Sequence, residues 1–269
     1  MQQANVITES TRFHAQAVVS SLEAMSDTIT SFTLSSGYEW PYVTVPHFDK
    51  RGSRAREDAY IEIVGFSPLV TYEDREEWVD YSLNSSTSWD TSVFDMIPFI
   101  WKEPEESSEG GEIVKIPDDN ILMAPMWQTS PKANHKGALN YNLFSETLYQ
   151  HLYGAMTESK KTALSAVYTN NIQTKLWGKL EHAQYHNVSL EETRDIPHSA
   201  LITPVYDSFD PETRNLAGLV HGILPWDTYL TDLLPPGVNG IVAVLANSCG
   251  QRFTFRIDGP KAIFVGEGE

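Results

Sequence analysis

The arrangement in this chain most able to do chemistry is a histidine pair, in Glu181-His182-Ala183-Gln184-Tyr185-His186. Residues four apart share one face of a helix, so the two imidazoles could grip a zinc ion. On that reading the chain is a soluble metal-dependent enzyme, with His182 and His186 as ligands and Glu181 as base. The segment lacks the glutamate that helical zinc hydrolases place immediately after the first histidine. Among eight histidines such a spacing also arises readily by accident. No serine stands in a Gly-x-Ser-x-Gly setting, and no glycine-rich phosphate loop leads into a helix. The expectation is no catalytic residue, no metal and no cofactor.

Binding is better supported. Met123, Met126, Trp127 and Gln128, with Asn140, Tyr141 and Asn142, set aromatic and thioether bulk beside amide donors and acceptors. That mixture suits a mostly apolar pocket with a few polar groups. Each residue also has an ordinary role: Trp127 as core, and Asn140 to Asn142 as a turn capping the next helix. A second set is Tyr206, Asp207, Arg214 and Trp226. Asp227, after Pro225-Trp226, is better explained as a helix N-terminal residue favoured by the backbone dipole. Arg75 with Glu73, Asp74, Glu76 and Glu77 reads as a solvated charged face, where pairing contributes roughly 0 to 1 kcal/mol.

These residues need elements to position them. Val18, Leu22, Met25, Ile29 and Phe32 recur at spacings of four, three, four and three, a helix seam ended by Gly37. It suits a stalk or an ordinary core helix. Trp40 to Phe48 alternates between bounding prolines and reads as an edge or entry strand, Lys50 to Glu57 as a charged loop, Ala59 to Val70 as a buried strand or strand pair, and Tyr72 to Asn84 as a helix. The acidic, glycine-rich stretch 103–112 is a solvated loop, and Ile121 to Gln128 resumes a buried strand. Ser145 is a plausible N-cap for a helix from Glu146 to about His182, broken near Thr157 to Lys161 or Asn170-Asn171. Leu201 to Tyr206 is a strand and Asp207 to Asn215 a polar turn. Leu216 to Leu224 is a second strand, and a helix opened by Pro225-Trp226-Asp227 ends at Pro235-Pro236-Gly237. Gly240 to Leu245 and Phe253 to Ile257 form a hairpin around Gly250.

A chain of 269 residues with 41% hydrophobic content folds around one large core or two modest ones. The net charge of −17 repels phosphate backbones and anionic lipid, which argues against nucleic-acid binding. No run approaches the roughly 18 apolar residues needed to span a bilayer, and the first residues lack the pattern of a signal peptide. The single cysteine, Cys249, cannot close an internal disulfide. Asn84-Ser85-Ser86 and Asn187-Val188-Ser189 are acceptor sequons that would suit a secreted surface.

The tail carries a resemblance. Pro204-Val205-Tyr206-Asp207-Ser208, Arg214 to Val220, Pro225-Trp226-Asp227, Tyr229 to Pro235 and Gly237 to Ile241, followed by Gly259-Pro260 and Gly266-Glu267-Gly268-Glu269, resemble the extracellular sensor region of receptor-type nucleotide cyclases of diatoms and related algae. That region is similar to CHASE sensor domains, and Phe66-Ser67-Pro68-Leu69-Val70 with Arg75, Glu76 and Trp78 is similar to the CHASE pattern of a strand leading into a helix. The resemblance runs from about Trp40 onward and implies an α+β fold, CHASE- or double-Cache-like: a stalk helix (1–37), a membrane-distal PAS-like lobe (38–144), connecting helices (145–199) and a membrane-proximal PAS-like lobe (200–269) cut before a second spanning helix. It implies an ectodomain on the outer face of the plasma membrane, held by flanking helices that the sequence does not contain. Such a domain binds a small molecule and signals through its stalk, and the enzyme of the full-length parent lies inside. Dimerisation through the N-terminal helix and a ligand-free adhesion module are further expectations.

Overall fold

The computed structural model describes residues 2–85, 97–102, 114–116, 121–133, 138–168, 196–247 and 249–268, with the side chains of 2–7 and of Val114 left aside. The fold is α+β, a long N-terminal helix with antiparallel sheets. Helix α1 (Gln2–Ser36) ends where Gly37 turns to a φ of 69°, its N–H bonded to the Thr33 carbonyl at 3.1 Å, a left-handed cap that glycine adopts without strain. The seam of α1 is used inside the chain: Val18, Leu22, Met25 and Ile29 are buried, and Phe32 packs partly against the same core.

Helix α2 (Phe48–Ala59) occupies the stretch expected as a charged loop. Its charges concealed the period of its small buried positions. Phe48, Gly52 and Ala59 are buried and Ala55 packs against the core, so apolar positions recur every three or four residues while the charges point outward. Gly52 is required there, because a Cβ on it would lie 2.4 Å from the Ser130 Cβ.

Strands β1 (Ile63–Pro68), β6 (Gln128–Ser130), β7 (Ala163–Leu164), β8 (His198–Tyr206) and β9 (Leu216–Pro225) form one antiparallel sheet in the order β6-β1-β9-β8-β7. Counted along the chain, these are its second, first, fifth, fourth and third strands. β1 and β6 come from the 38–144 segment and most of β8 and all of β9 from 200–269, so this sheet joins the two segments between which the sequence reading divided the lobes. Side chains alternate between its faces. Val64, Phe66, Leu201, Val205, Val220 and Leu224 pack with α1 and α2. Ile63, Ala200, Ile202, Leu219 and Ile223 pack on the other side with Tyr149, Leu152 and Met156 of α4 (Thr147–Ser159).

Short pairs flank this frame: β2 (Val70–Thr71) with β5 (Leu122–Met123), and β3 (Trp101–Lys102) with β4 (Val114–Lys115). Helix α3 is Arg75–Ser85, and its first residue is buried under the Tyr72 ring rather than solvated, the guanidinium carbon 4.9 Å from the ring centroid. α4 begins at Thr147 with no side-chain cap, Ser145 belonging to the preceding 3-10 turn Leu143–Ser145. It stops at a left-handed Lys160, and the expected continuation through Leu164 and Tyr168 is β7 and extended chain instead. Sheet pairing of Ala163 and Leu164 with Ile202 and Leu201 outweighs their helical spacing. Trp40 to Val45 forms no strand. Gln128 holds it instead, accepting from Val45 N at 2.8 Å and donating to Val45 O at 2.9 Å.

After β9 the expected helix is one turn, Trp226–Tyr229. Strands β10 (Ile241–Ala246), β11 (Arg252–Asp258) and β12 (Lys261–Glu267) then form a separate three-stranded antiparallel sheet. Phe253, Phe255 and Ile257 face the α1 core, whereas Val242, Val244, Ile263 and Val265 are exposed on the opposite face. Among the described residues no helix is long and apolar enough to cross a membrane.

Candidate functional site

The two faces of the five-stranded sheet treat polar groups differently. On the α1 face most are satisfied: Ser26 donates to the Pro204 carbonyl at 2.6 Å, Thr30 to Tyr206 O at 2.8 Å, Ser130 to Asp49 O at 2.9 Å, and Thr162 and Thr203 share a bond of 2.9 Å. Among the described residues, eight buried side-chain nitrogen or oxygen atoms have no hydrogen-bond partner. One is Trp40 Nε1, next to Phe66 on the α1 side. The other seven lie on the α4 side: Ser67 Oγ, Thr129 Oγ1, Asn142 Nδ2, the Tyr149 and Tyr168 hydroxyls, and both ring nitrogens of His221. Buried polar atoms are ordinarily paired, because leaving one unpaired costs roughly 1–3 kcal/mol. Their collection on one face defines the candidate site.

The sheet register positions this set. Thr129, Gly65 and His221 are cross-strand neighbours in one row. Gly65 provides no side chain, and the His221 ring lies over it, since a Cβ there would sit 2.1 Å from His221 Nε2. Ser67 is two residues along β1 on the same face, opposite Leu219. From above, α4 lowers Tyr149 onto His221, edge to face with centroids 6.2 Å apart. Burial pushes the His221 pKa down to about 3, so the ring is neutral, and pushes the Tyr149 phenol up. Tyr168, at the far side, is also raised by burial, and then by Tyr149, Glu62 and Glu146. Its ring stacks on His198 at 6.1 Å.

Behind this layer lies a buried carboxylate–imidazole pair. Glu62 Oε2 is 3.0 Å from His198 Nε2, both side chains fully buried, and His198 Nδ1 is 2.7 Å from the Ile196 carbonyl. With a carbonyl at one nitrogen and a carboxylate at the other, both ring nitrogens of His198 are placed to donate. Taken together, the arrangement presents hydroxyls, an amide and a neutral imidazole, which are groups for hydrogen bonding a small molecule. Among the described residues no cluster of three or more His, Cys, Asp or Glu is placed to hold a metal ion. Glu181, His182 and His186 lie outside the described residues.

The residues expected from sequence are distributed over several places. Met126, Tyr141 and Asn142 stand on the α4 side, where Asn142 Oδ1 accepts from Ala124 N at 2.9 Å and Phe144 N at 3.3 Å. Tyr141 donates to Glu146 and packs edge-on against Trp101 at 4.9 Å. Met123 and Trp127 belong to the α1 core. Trp127 packs edge-on to Trp78 at 5.3 Å and donates to Thr44 at 3.1 Å. Gln128 is committed to Val45, and Asn140, left-handed at φ 59°, accepts from Trp78 at 3.2 Å and donates to Ser82 at 3.0 Å.

In the tail, Arg214 lies over the Tyr206 ring at 4.0 Å, and Asp207 holds Asn215 through its backbone N–H at 2.7 Å and its amide at 3.0 Å. Tyr206 and Arg214 line a shallow cleft of about 230 Å³ with Glu23, Asp27 and Thr30 of α1. Trp226 is at the other end of β9, donating to Ser199 at 3.0 Å.

Sequence reasoning missed His221, Ser67, Thr129, Tyr149, Tyr168, Glu62 and His198. The signal was there in part: Glu62 and His221 interrupt apolar runs, Ile61 to Val64 and Leu219 to Ile223, and a polar residue inside a buried strand needs a reason. Neither the protein-family models nor the curated proteins searched contain a match to this chain.

Proposed function

We propose that this chain is a ligand-sensing region exposed outside the membrane, of the kind that fronts receptor-type nucleotide cyclases, and that it catalyses no reaction itself. One observation carries the reading: among the described residues seven unpartnered buried polar atoms lie on the α4 side of the sheet, in an otherwise apolar layer, and small-molecule sites combine a few polar groups with such a lining. The sequence resemblance and the antiparallel sheet with its first and last strands adjacent at the centre support a PAS-like lobe of CHASE or double-Cache type. The sheet β10–β12 would then belong to the second lobe.

The transmission route is short. His221 faces the ligand side, while its neighbour Gly222 faces α1, with Leu22 3.2 Å from where a Cβ on Gly222 would stand. A ligand that reseats β9 therefore changes the bed on which the stalk lies, to the extent that it binds the two packings with different affinity. Because the seam from Val18 to Ile29 is already buried against this chain's own sheet, a homodimer through α1 would use its outward side, where Phe13 and Leu34 are exposed.

A thermal-shift screen of small metabolites tests the reading, since a ligand at a hundred times its dissociation constant stabilises by about 2.7 kcal/mol. The expected hit loses its shift when His221 is replaced by Leu and alters disulfide crosslinking between α1 and β8. Hits indifferent to His221, or bound without change in α1 crosslinking, would sink it. Labelling of a tag fused to this region on intact cells checks the orientation.

A further inference from the structure

We propose that the α4-side site, taken as the sensing site above, selects small uncharged molecules whose polar edge is built of hydrogen-bond acceptors. The unpartnered groups are four hydroxyls, on Ser67, Thr129, Tyr149 and Tyr168, the Asn142 amide nitrogen and the His221 ring. Asn142 has only donors to offer, because its oxygen already accepts from Ala124 and Phe144. The hydroxyls each bring a proton, and neutral His221 brings one more with a single acceptor nitrogen. Every member of the set can thus donate, and one atom, the unprotonated ring nitrogen of His221, can only accept, so an edge of acceptors such as a carbonyl, amide or ether can engage all of them but that one.

Charge narrows the class further. Among the described residues no lysine is buried, and the one buried arginine, Arg75, lies against the Tyr72 ring at the start of α3, so no buried cation on this face is at hand to neutralise an anion. The nearest ionisable carboxylates, Glu62 and Glu146, act electrostatically on the Tyr168 hydroxyl and oppose negative charge beside it. They do not offer themselves to a cation either. Glu62 is held by His198 at 3.0 Å, and Glu146 accepts from Tyr141. An ionic ligand would have to leave water without a counter-charge, whereas an uncharged one exchanges water hydrogen bonds for protein ones.

The test uses the whole chain and three probes of one shape and different charge: benzamide, benzoate and benzamidinium. Binding is followed by calorimetry and by the ring resonances of His221. Benzamide is expected to bind and to move the His221 signals while the two ions do not. Tyr149→Phe and Thr129→Val, which remove only unpartnered hydroxyls and so leave the fold intact, should each weaken benzamide roughly three- to tenfold. Preferential binding of benzoate or benzamidinium that is weakened by those substitutions overturns the uncharged class and leaves the site standing. If no probe moves His221, or binding is indifferent to both substitutions, the site itself is refuted and the class with it.

Discussion

One sheet, two faces: among the described residues, hydroxyls and amides on the α1 side find carbonyls, backbone N–H groups or each other, and on the α4 side seven polar atoms find no partner. Both layers are apolar and both are closed to solvent, so burial alone does not separate them. What separates them is whether the polar atoms were needed to fasten neighbouring elements. Ser26, Thr30, Gln128 and Ser130 each tie two segments together, whereas Ser67, Thr129 and His221 tie nothing. The first side is built to hold, and the second is the one we propose to receive a ligand.

Substitutions can break that contrast. The largest effect belongs to the fastened side: Leu22→Ala, at a fully buried position against Gly222, should cost about 2–5 kcal/mol in chemical denaturation, as large-to-small core changes do. Next comes acid. His221 is held below its ordinary 6.5, at about 3, so between those limits the unfolded chain takes up a proton that the folded chain refuses. The His221 contribution to stability should fall with pH below 6.5, by at most about 1.4 kcal/mol per pH unit, until about pH 3, and return as pH rises. His221→Leu should remove that component of the slope, which denaturation curves at several pH values will read.

Gln128→Leu should cost about 1–3 kcal/mol, because both backbone groups of Val45 lose their partner. Its neighbour Thr129→Val, one residue along the same strand but on the receiving side, is expected to be neutral or to stabilise by up to about 1 kcal/mol, since it deletes a hydroxyl that bonds nothing. Equal losses at positions 128 and 129 would erase the distinction between the faces.

Much of the frame was legible. Val18, Leu22, Met25 and Ile29 carry the helical period, and the strands, turn and hairpin after residue 200 fall close to where apolar runs and glycines set them. Helix α2 was obscured because three of its four inward positions are glycine or alanine, too small to register beside so many charges. The site was obscured for a different reason: it is assembled from β1, β6, β9, α4 and the segment around Tyr168, and a row such as Thr129, Gly65 and His221 exists only once strands are paired. Asn142 and Met126 were noticed because they sit in a dense local cluster. His221 and Tyr149 stand alone in theirs.

The two hydroxyl bonds from α1 act as a key. Ser26 and Thr30 are four residues apart on a helix, about 6 Å, and their acceptors Pro204 and Tyr206 are two residues apart on a strand, about 6.6 Å, so the two spacings mesh at one setting. Slide the rod a full turn either way and Leu22 or Leu34 arrives where a hydroxyl is wanted, stranding one carbonyl. Helix α1 is thereby denied the whole-turn ratchet, and a signal of the kind proposed for it would have to be a tilt, a roll or a displacement shorter than one pitch.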